Sequence, residues 1–432
     1  MTYATVRGLA RVLLALFYRR IEIHGLEHVP ARGALVIAAN HHNALVDAML
    51  LIATIPRRLA PLAKAPLFAH LLVAPFLWLV GAIPVHRRQD AGTGDAQNAT
   101  MFATATAALR RGRAILIFPE GVSQPEPVLL PLRTGLARLT LDAVAGAKLQ
   151  VTVLPVGLVF HRPADFRIGT AVVEIGAPVA VEDLVPSRET SASGLAGPMP
   201  SSEVAVRALT DRVTAALRAL IVEARDLQTL RLLEVAYDVW RADDAAQPGN
   251  ERLSWMREVL RRSSSLSPGL RHRVDRLRRE LERYDKDAAG QTSPVPGRTL
   301  RDGVALALGL PLAFLGMVIH GLGYRATTMT VRALRPDPDV SATYQLMGGL
   351  ALFPLSWIVE AMVLGRIVGS WAVGLFVVAL IPTGFYALSW RERLQRFPRE
   401  FSATLSGRQA RLAVRRRWLR HELTALDRLT RT

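Results

Sequence analysis

The segment LVIAANHHNALVDAMLL, residues 35–51, places two adjacent imidazoles, His41 and His42, just ahead of a carboxylate, Asp47. An imidazole held by a carboxylate is a general base: the anion fixes the tautomer and stabilises the imidazolium once a proton is taken. Along a continuous helix neither histidine could meet Asp47, because offsets of six and five residues point to different sides. The pairing therefore needs a turn that ends where a helix begins, with Asn43 as the N-cap. Asp47 then lies within about one turn of the helix N-terminus, where the macrodipole favours a charged carboxylate. Without that turn, the segment is only two loop histidines beside a helix cap.

Three further segments carry polar groups at the ends of apolar runs. In GAIPVHRRQD, residues 81–90, a strand delivers Arg87 and Arg88 to its end. Arginines there suit bidentate phosphate recognition and equally serve as solvated strand caps. In ILIFPEGVSQPEPVLLPLRTGLARL, residues 115–139, a buried strand runs into Phe118-Pro119-Glu120-Gly121. Proline and glycine make a tight turn there that holds Glu120 at the strand's exit. Downstream, Pro131 to Gly135 opens a helix whose free amides, with Arg133, could hold an anion. The fourth segment, VLPVGLVF at 153–160, reads as another buried strand, with Pro155 suggesting a bulge or a sheet edge. The chain has no cysteine, which removes thiolate nucleophiles, iron–sulfur clusters and cysteine zinc sites. Ser123 stands in GVSQP and not in a GxSxG elbow. HHxxxxD has no third ligand cluster beside it, so no metal site is assigned.

These positions need a layered scaffold. Between residues 33 and 187, short apolar strands alternate with helical patterns. The strands are Ala34–Ala39, Gly81–Val85, Ala114–Phe118, Val151–Val159 and Ala171–Ile175. The helices are Ala44–Ile55, Asp95–Arg110 and Thr134–Ala145. That alternation predicts an α/β domain, a mixed sheet flanked by helices, over residues 25–187. Residues 1–24 read as an amphipathic helix lying in the membrane plane, with Leu9, Val12, Leu13, Leu16 and Phe17 on one face and Arg7, Arg11, Arg19 and Arg20 set to meet lipid phosphates. A Ser/Gly/Pro-rich linker follows at 188–202, then two to four amphipathic helices at 203–288 and a second linker at 289–300.

Membrane segments occupy 301–390, in three nearly uncharged runs: Gly303–Gly323, Gln345–Gly365 and Trp371–Trp390. The tail 391–432 carries twelve arginines against four acids, and the positive-inside rule puts it on the cytoplasmic face together with the region before Gly303. The simplest arrangement is a hairpin of the second and third segments, turning at Gly365–Ser370. The first segment, with Pro311 and five glycines, is then re-entrant or in-plane. Composition agrees with a membrane setting: half of the 432 residues are hydrophobic, yet Lys+Arg exceed Asp+Glu by 54 to 36. Nucleic acid would account for the charge and not for the apolar excess, and no aromatic–basic interleaving appears. An anionic membrane surface accounts for both.

NHHNALVD, GAIPVHR, FPEG and VLPVGL occur in that order, and together they resemble the four blocks of the glycerolphosphate and lysophosphatidate acyltransferases. The three C-terminal apolar segments are similar to those of a bacterial branch related to fungal glycerol-3-phosphate/dihydroxyacetone-phosphate acyltransferases. The resemblance implies a histidine–aspartate catalytic pair, with Asp47 as the carboxylate. It assigns the second block's arginine (Arg87, with Arg88 beside it) and the third block's Glu120-Gly121 to the acceptor phosphate, where Arg133 assists. Asn43 is counted with these substrate-binding positions. The family's commonest spacing, four residues before the aspartate, selects His42; a subfamily with asparagine two positions after the histidine selects His41. Asn43 and Asn40-His41 fit the second frame, and both histidines are kept.

The function so implied is membrane-bound transfer of an acyl group from acyl-CoA or acyl carrier protein to a hydroxyl of glycerol-3-phosphate or its 1-acyl derivative. It needs no cofactor and no nucleic acid, and it takes place at the cytoplasmic face of the inner membrane. The opposing readings are an acyltransferase acting on another lysophospholipid and a non-catalytic lipid-binding scaffold.

Overall fold

Strands that are apolar at every position need cover on both faces, and the fold supplies it. The computed structural model describes residues 3–71, 73–86, 95–145, 149–161, 169–185, 202–241, 249–263, 267–288, 298–405 and 408–431. Seven strands form one sheet: β1 (Arg20–His24), β2 (Ala34–Ala39), β3 (Leu59–Lys64), β4 (Ile83–Val85), β5 (Ala114–Ile117), β6 (Val151–His161) and β7 (Thr170–Ile175). Their order is β1-β7-β6-β2-β5-β3-β4. Every pairing is parallel except β6 with β7, so this is the mixed α/β sheet the alternation predicts.

Alternate residues of β2 serve opposite faces. Val36 and Ala38 join Ile115 and Val153 in a core covered by α4 (Asp95–Arg110), α5 (Gly135–Ala145) and α6 (Glu203–Leu220). Leu35 and Ile37, equally buried, serve the other face. There α2 (Ala44–Thr54) is buried from Val46 through Ala53 and packs against α1 (Tyr3–Phe17), which also touches α3 (Ala74–Val80).

Several expectations change. β3 and α3 have no counterpart in the sequence reading; Pro61 disguises the strand. It pairs with Leu116 of β5, while pairing with β4 begins only at Leu62, so its missing N–H leaves no gap in the ladder. Pro155 is neither at a bulge nor at a sheet edge. It stands where the β6–β7 ladder ends, accepting from the Gly176 amide, and forfeits only the reciprocal bond. Helix α1 turns Val6, Ala10, Leu14 and Phe17 inward, and Arg7 and Arg11 reach the Ile55 and Ala53 carbonyls at the end of α2 instead of pointing at lipid. Free C-terminal carbonyls and the negative helix end favour those guanidinium groups. Positions 188–201 and 289–297 lie outside the described residues, and residues 298–300 already belong to a helix.

The chain divides into two units. The first comprises Met1–Leu230, Gln247–Arg257 and Asp337–Thr343, and the second Arg231–Ala246, Glu258–Pro336 and Tyr344–Thr432. Helix α6, expected among the separate helices of 203–288, instead sends Val206, Leu209, Val213 and Leu217 into the sheet's core. The region continues with α7 (Leu227–Trp240), α8 (Gly249–Ser263) and α9 (Pro268–Ala288).

Among the described residues, three helices are long and apolar enough to cross a membrane: α10 (Arg298–Leu334), α11 (Pro338–Ile367) and α12 (Ser370–Leu405). The first is not a broken re-entrant segment but a continuous 37-residue helix with Pro311 inside it. Nor do the second and third segments make the main pair. Trp390 donates to the Leu306 carbonyl at 2.9 Å, Gly316 lies against Ala387, and His320 reaches the Leu380 carbonyl at 3.1 Å, so α10 and α12 run antiparallel.

The glycines that weaken α10 as an isolated span are its contact face. A Cβ on Gly316 would lie 2.8 Å from Ala387 Cβ, and Gly309 accommodates Tyr386. Small residues are what allow helices in lipid to approach closely. We expect Gly316→Leu to lower the thermal midpoint of the detergent-solubilised protein by several degrees, in line with overpacking costs of about 1–3 kcal/mol. An unchanged midpoint would contradict the α10–α12 pairing. The basic tail forms α13 (Arg408–Arg431) and is tied by ion pairs to α8 and α9: Arg415 to Glu280 and Asp287, Glu422 to Arg273 and Asp427 to Arg262.

Candidate active site

Strand β2 ends at Ala39, and the chain must reverse before α2 can start. Asn40, fully buried, anchors the reversal to the neighbouring strand: its amide donates to the Leu158 carbonyl at 2.9 Å and accepts from the Leu158 N–H at 2.6 Å. The turn closes with Ala44 at φ 41°, a left-handed conformation that L-residues with a Cβ seldom adopt. The strained residue stands three positions before Asp47, where the backbone bends back toward the carboxylate.

Asp47 is wholly buried, and one of its oxygens organises the turn. Oδ2 accepts from the His42 N–H, the Asn43 N–H and His41 Nδ1, each at 2.8 Å. The amides at the helix start are thus satisfied by a residue inside the helix. Asn43 occupies the N-cap position, yet its side chain makes no cap. It donates to the Tyr18 hydroxyl at 2.9 Å and is itself buried, so it faces no substrate, contrary to its place among the binding residues. Burial, reinforced by the Asp47 charge, pushes the Tyr18 phenol far up, so it stays a neutral partner.

The two histidines part company here. His41 turns its ring onto Asp47 and stacks face to face on Phe118, centroids 4.0 Å apart, with 17% of its side chain exposed. Its Nδ1–H is committed to the carboxylate, which leaves Nε2 as the proton acceptor. His42 uses Nδ1 on the Gln124 carbonyl at 3.0 Å, and only its backbone touches Asp47.

Glu120 differs most from expectation. The Phe118–Gly121 turn holds it at the exit of β5, as the sequence suggests, but the side chain is buried. Its Oε1 accepts from the His41 N–H at 2.7 Å and its Oε2 from the Leu130 N–H at 2.9 Å. Burial pushes its pKa up, partly offset by those two amides and by the charges of His42 and His41. A carboxylate with both oxygens engaged has nothing to offer a phosphate and would repel one; it fixes the backbone beneath His41.

Gly121, at φ +76°, leaves room for Arg133, whose Nε would lie 2.6 Å from a Cβ there. Arg133 is exposed, its own amide tied to the Pro119 carbonyl at 2.8 Å. Arg87 and Arg88 lie outside the described residues; the strand before them, β4, ends at the same sheet edge as β2 and β5. Ser123 is engaged by Asp339 within the first unit. Sequence reasoning missed Tyr18, Asn40, Phe118 and Gln124 as supports. Asn40 and Phe118 stood inside the motifs, but nothing local reveals partners as remote as Leu158 for Asn40 and His41 for Phe118.

Residues 20–159 match the family described as Acyltransferase. Among characterised proteins, the human 1-acyl-sn-glycerol-3-phosphate acyltransferase alpha is 28% identical over 39% of this chain and 57% of its own length. Glycerol-3-phosphate O-acyltransferase 2 of Saccharomyces cerevisiae is 34% identical over 28% of this chain and 15% of its own. The chain thus spans about half the length of the first of these relatives. A crystal structure of the 1-acyl-sn-glycerophosphate acyltransferase PlsC from Thermotoga maritima covers 50% of this chain and 78% of its own, with TM-score 0.35 and 19% identity. The histidine–aspartate pair and the four ordered motifs thus lie inside a region, residues 20–159, that matches the Acyltransferase family and is similar to glycerolphosphate and lysophosphatidate acyltransferases.

Proposed function

We propose that the chain is a membrane-bound O-acyltransferase of glycerolipid synthesis, with His41 as general base and Asp47 as the carboxylate that orients it. The 2.8 Å contact between His41 Nδ1 and Asp47 Oδ2, in a ring still open to solvent, carries this reading. Nε2 takes the proton of an acceptor hydroxyl as its oxygen bonds to the carbonyl carbon of a thioester. The tetrahedral adduct collapses, the carbon–sulfur bond breaks, and the imidazolium returns the proton to the departing thiolate. The products are an ester and a free thiol; no acyl-enzyme forms and no cofactor takes part. Acyl-CoA or acyl carrier protein is the donor and glycerol-3-phosphate or its 1-acyl derivative the acceptor. The apolar helices α10–α12 support a membrane setting, and the arginine-rich tail supports the cytoplasmic face of the inner membrane.

Arg133, with Arg87 and Arg88, binds the acceptor phosphate and positions its hydroxyl. Proteoliposomes holding the full chain, given labelled acyl-CoA or acyl carrier protein with a panel of glycerol-3-phosphate, 1-acylglycerol-3-phosphate, dihydroxyacetone phosphate and other lysolipids, test the reading directly. Failure to acylate any of them would favour the lipid-binding scaffold. Arg133→Ala is expected to raise the KM for a phosphorylated acceptor about 10- to 100-fold, the range of a charge-assisted contact, and to leave the donor KM within twofold. An unchanged acceptor KM would remove Arg133 from the phosphate site.

A further inference from the structure

The loop that follows the Phe118–Gly121 turn braces both histidines. Gln124 donates its backbone N–H to the His41 carbonyl at 3.1 Å, and its own carbonyl holds His42 Nδ1 at 3.0 Å. Its side-chain amide closes on the Val128 carbonyl at 2.6 Å, which keeps the loop compact. Whatever fixes the backbone at 123–124 therefore also fixes the turn that carries the proposed base. Ser123 provides such a hold: its hydroxyl donates to Asp339 Oδ2, on a residue 216 positions away in the chain. Asp339 lies outside residues 20–159, in a segment, Asp337–Thr343, that belongs to the first unit.

The turn that presents Asp339 is stiff. Arg335 takes a left-handed φ of 44°, with its N–H on the Val331 carbonyl at 3.1 Å. Pro336 and Pro338 fix φ on either side of Asp337. Pro338 opens α11, where a missing N–H costs nothing. The Asp337 carbonyl accepts from the Val340 N–H at 3.1 Å, and Ala342 is fully buried. Asp339 sits in the first turn of α11, where the macrodipole favours an ionised carboxylate. Its bond to a hydroxyl is then charge-assisted, and both residues are half-buried, which limits competition from water.

We infer that Asp339 is a positioning residue for the proposed reaction. Through Ser123 it locks the loop 121–124, and through Gln124 it sets the His41 backbone and the His42 ring. The role rests on the acyltransferase reading for the reaction it serves, but two of its three tests need no turnover. The chain has no cysteine, so Ser123→Cys with Asp339→Cys gives the full-length protein exactly two thiols. A short bis-methanethiosulfonate reagent is expected to join them in most molecules. Two thiols that each react singly but are never joined would overturn the inference.

The second test reads the histidines with diethylpyrocarbonate, which acylates free imidazole nitrogens, followed by tandem mass spectrometry. Asp339→Ala should release His42 Nδ1 from Gln124 and raise its modification rate about fivefold, the equivalent of one hydrogen bond. His28, bonded to the Ile175 carbonyl at 2.9 Å, is the internal reference. An unchanged rate at His42 would overturn the positioning role. In bilayers, Asp339→Ala and Ser123→Ala should each lower kcat about tenfold and leave both KM values within about twofold. The double variant should lose no more than either single one, and Asp339→Asn, which keeps an acceptor oxygen, should recover most of the activity. A lowered thermal midpoint with kcat intact, or losses that multiply, would make the contact structural only and overturn the inference. Absence of wild-type turnover on every acceptor would instead defeat the acyltransferase reading, with cross-linking and His42 reactivity still deciding the positioning.

Discussion

His41→Ala is expected to lower kcat by about 10²–10⁴-fold, the contribution of a positioned general base. The ring is partly exposed and its removal costs only stacking on Phe118 and one bond to Asp47, so the protein should remain folded. His42→Ala should lose less than tenfold, because that ring binds only the Gln124 carbonyl. Asp47→Asn should be at least as damaging as His41→Ala and should also cost stability. A neutral amide oxygen accepts the three donors converging on Oδ2 more weakly than the carboxylate, and the NH2 group is left at the Oδ1 position, which is buried with no hydrogen-bond partner. Turnover with labelled acyl donor, measured beside thermal midpoints, separates the cases. A folded His42→Ala protein as inactive as His41→Ala, or a His41→Ala protein with full turnover, would remove His41 from the proposed role.

The second large effect is expected at Glu120. Glu120→Ala leaves the His41 and Leu130 amides without acceptors, which costs about 1–3 kcal/mol for each buried donor. Because one of those amides belongs to His41, kcat should fall at least tenfold even below the melting transition, with the acceptor KM nearly unchanged. A residue that bound phosphate would instead raise that KM. Glu120→Gln restores one acceptor and should recover part of the loss.

The pH dependence supplies a check independent of activity. Burial raises the Glu120 pKa in the folded protein above its ordinary 4.5, so the native state holds this proton more tightly than the unfolded chain. The wild type's stability from this group is greatest below pH 4.5 and falls as pH rises through the raised folded value. Glutamine does not titrate, so the stability gap between wild type and Glu120→Gln should narrow across that window and then stay constant. A gap independent of pH would contradict the buried, raised carboxylate.

Much of the site was legible in the chain. NHHNALVD and FPEG each join an apolar run to a turn, VLPVGL lies within an apolar strand, and runs of that kind encode strand, turn and helix locally. The pairing of one histidine with Asp47, together with the two frames that decide which, could be stated from spacing alone. The roles of Asn43 and Glu120 could not. Both are polar residues at strand exits, which suggests substrate contact, yet each is consumed by a partner remote in sequence: Tyr18 for Asn43, the His41 and Leu130 amides for Glu120. The glycines of α10 misled in the same way, because a gap in one helix acquires meaning only when Ala387 of α12 fills it.

Residue type and order by themselves determined the chemistry available: an imidazole near a carboxylate, arginines at strand ends, no thiol, and three apolar stretches of membrane-crossing length. Those properties are local, written in composition and in periods of two and 3.6 residues. Tertiary structure decided which imidazole meets Asp47, which carboxylate supports the backbone instead of facing substrate, and which apolar helices pair. Each of those outcomes depends on contacts between distant segments and on the left-handed backbone at Ala44, and no local pattern specifies either.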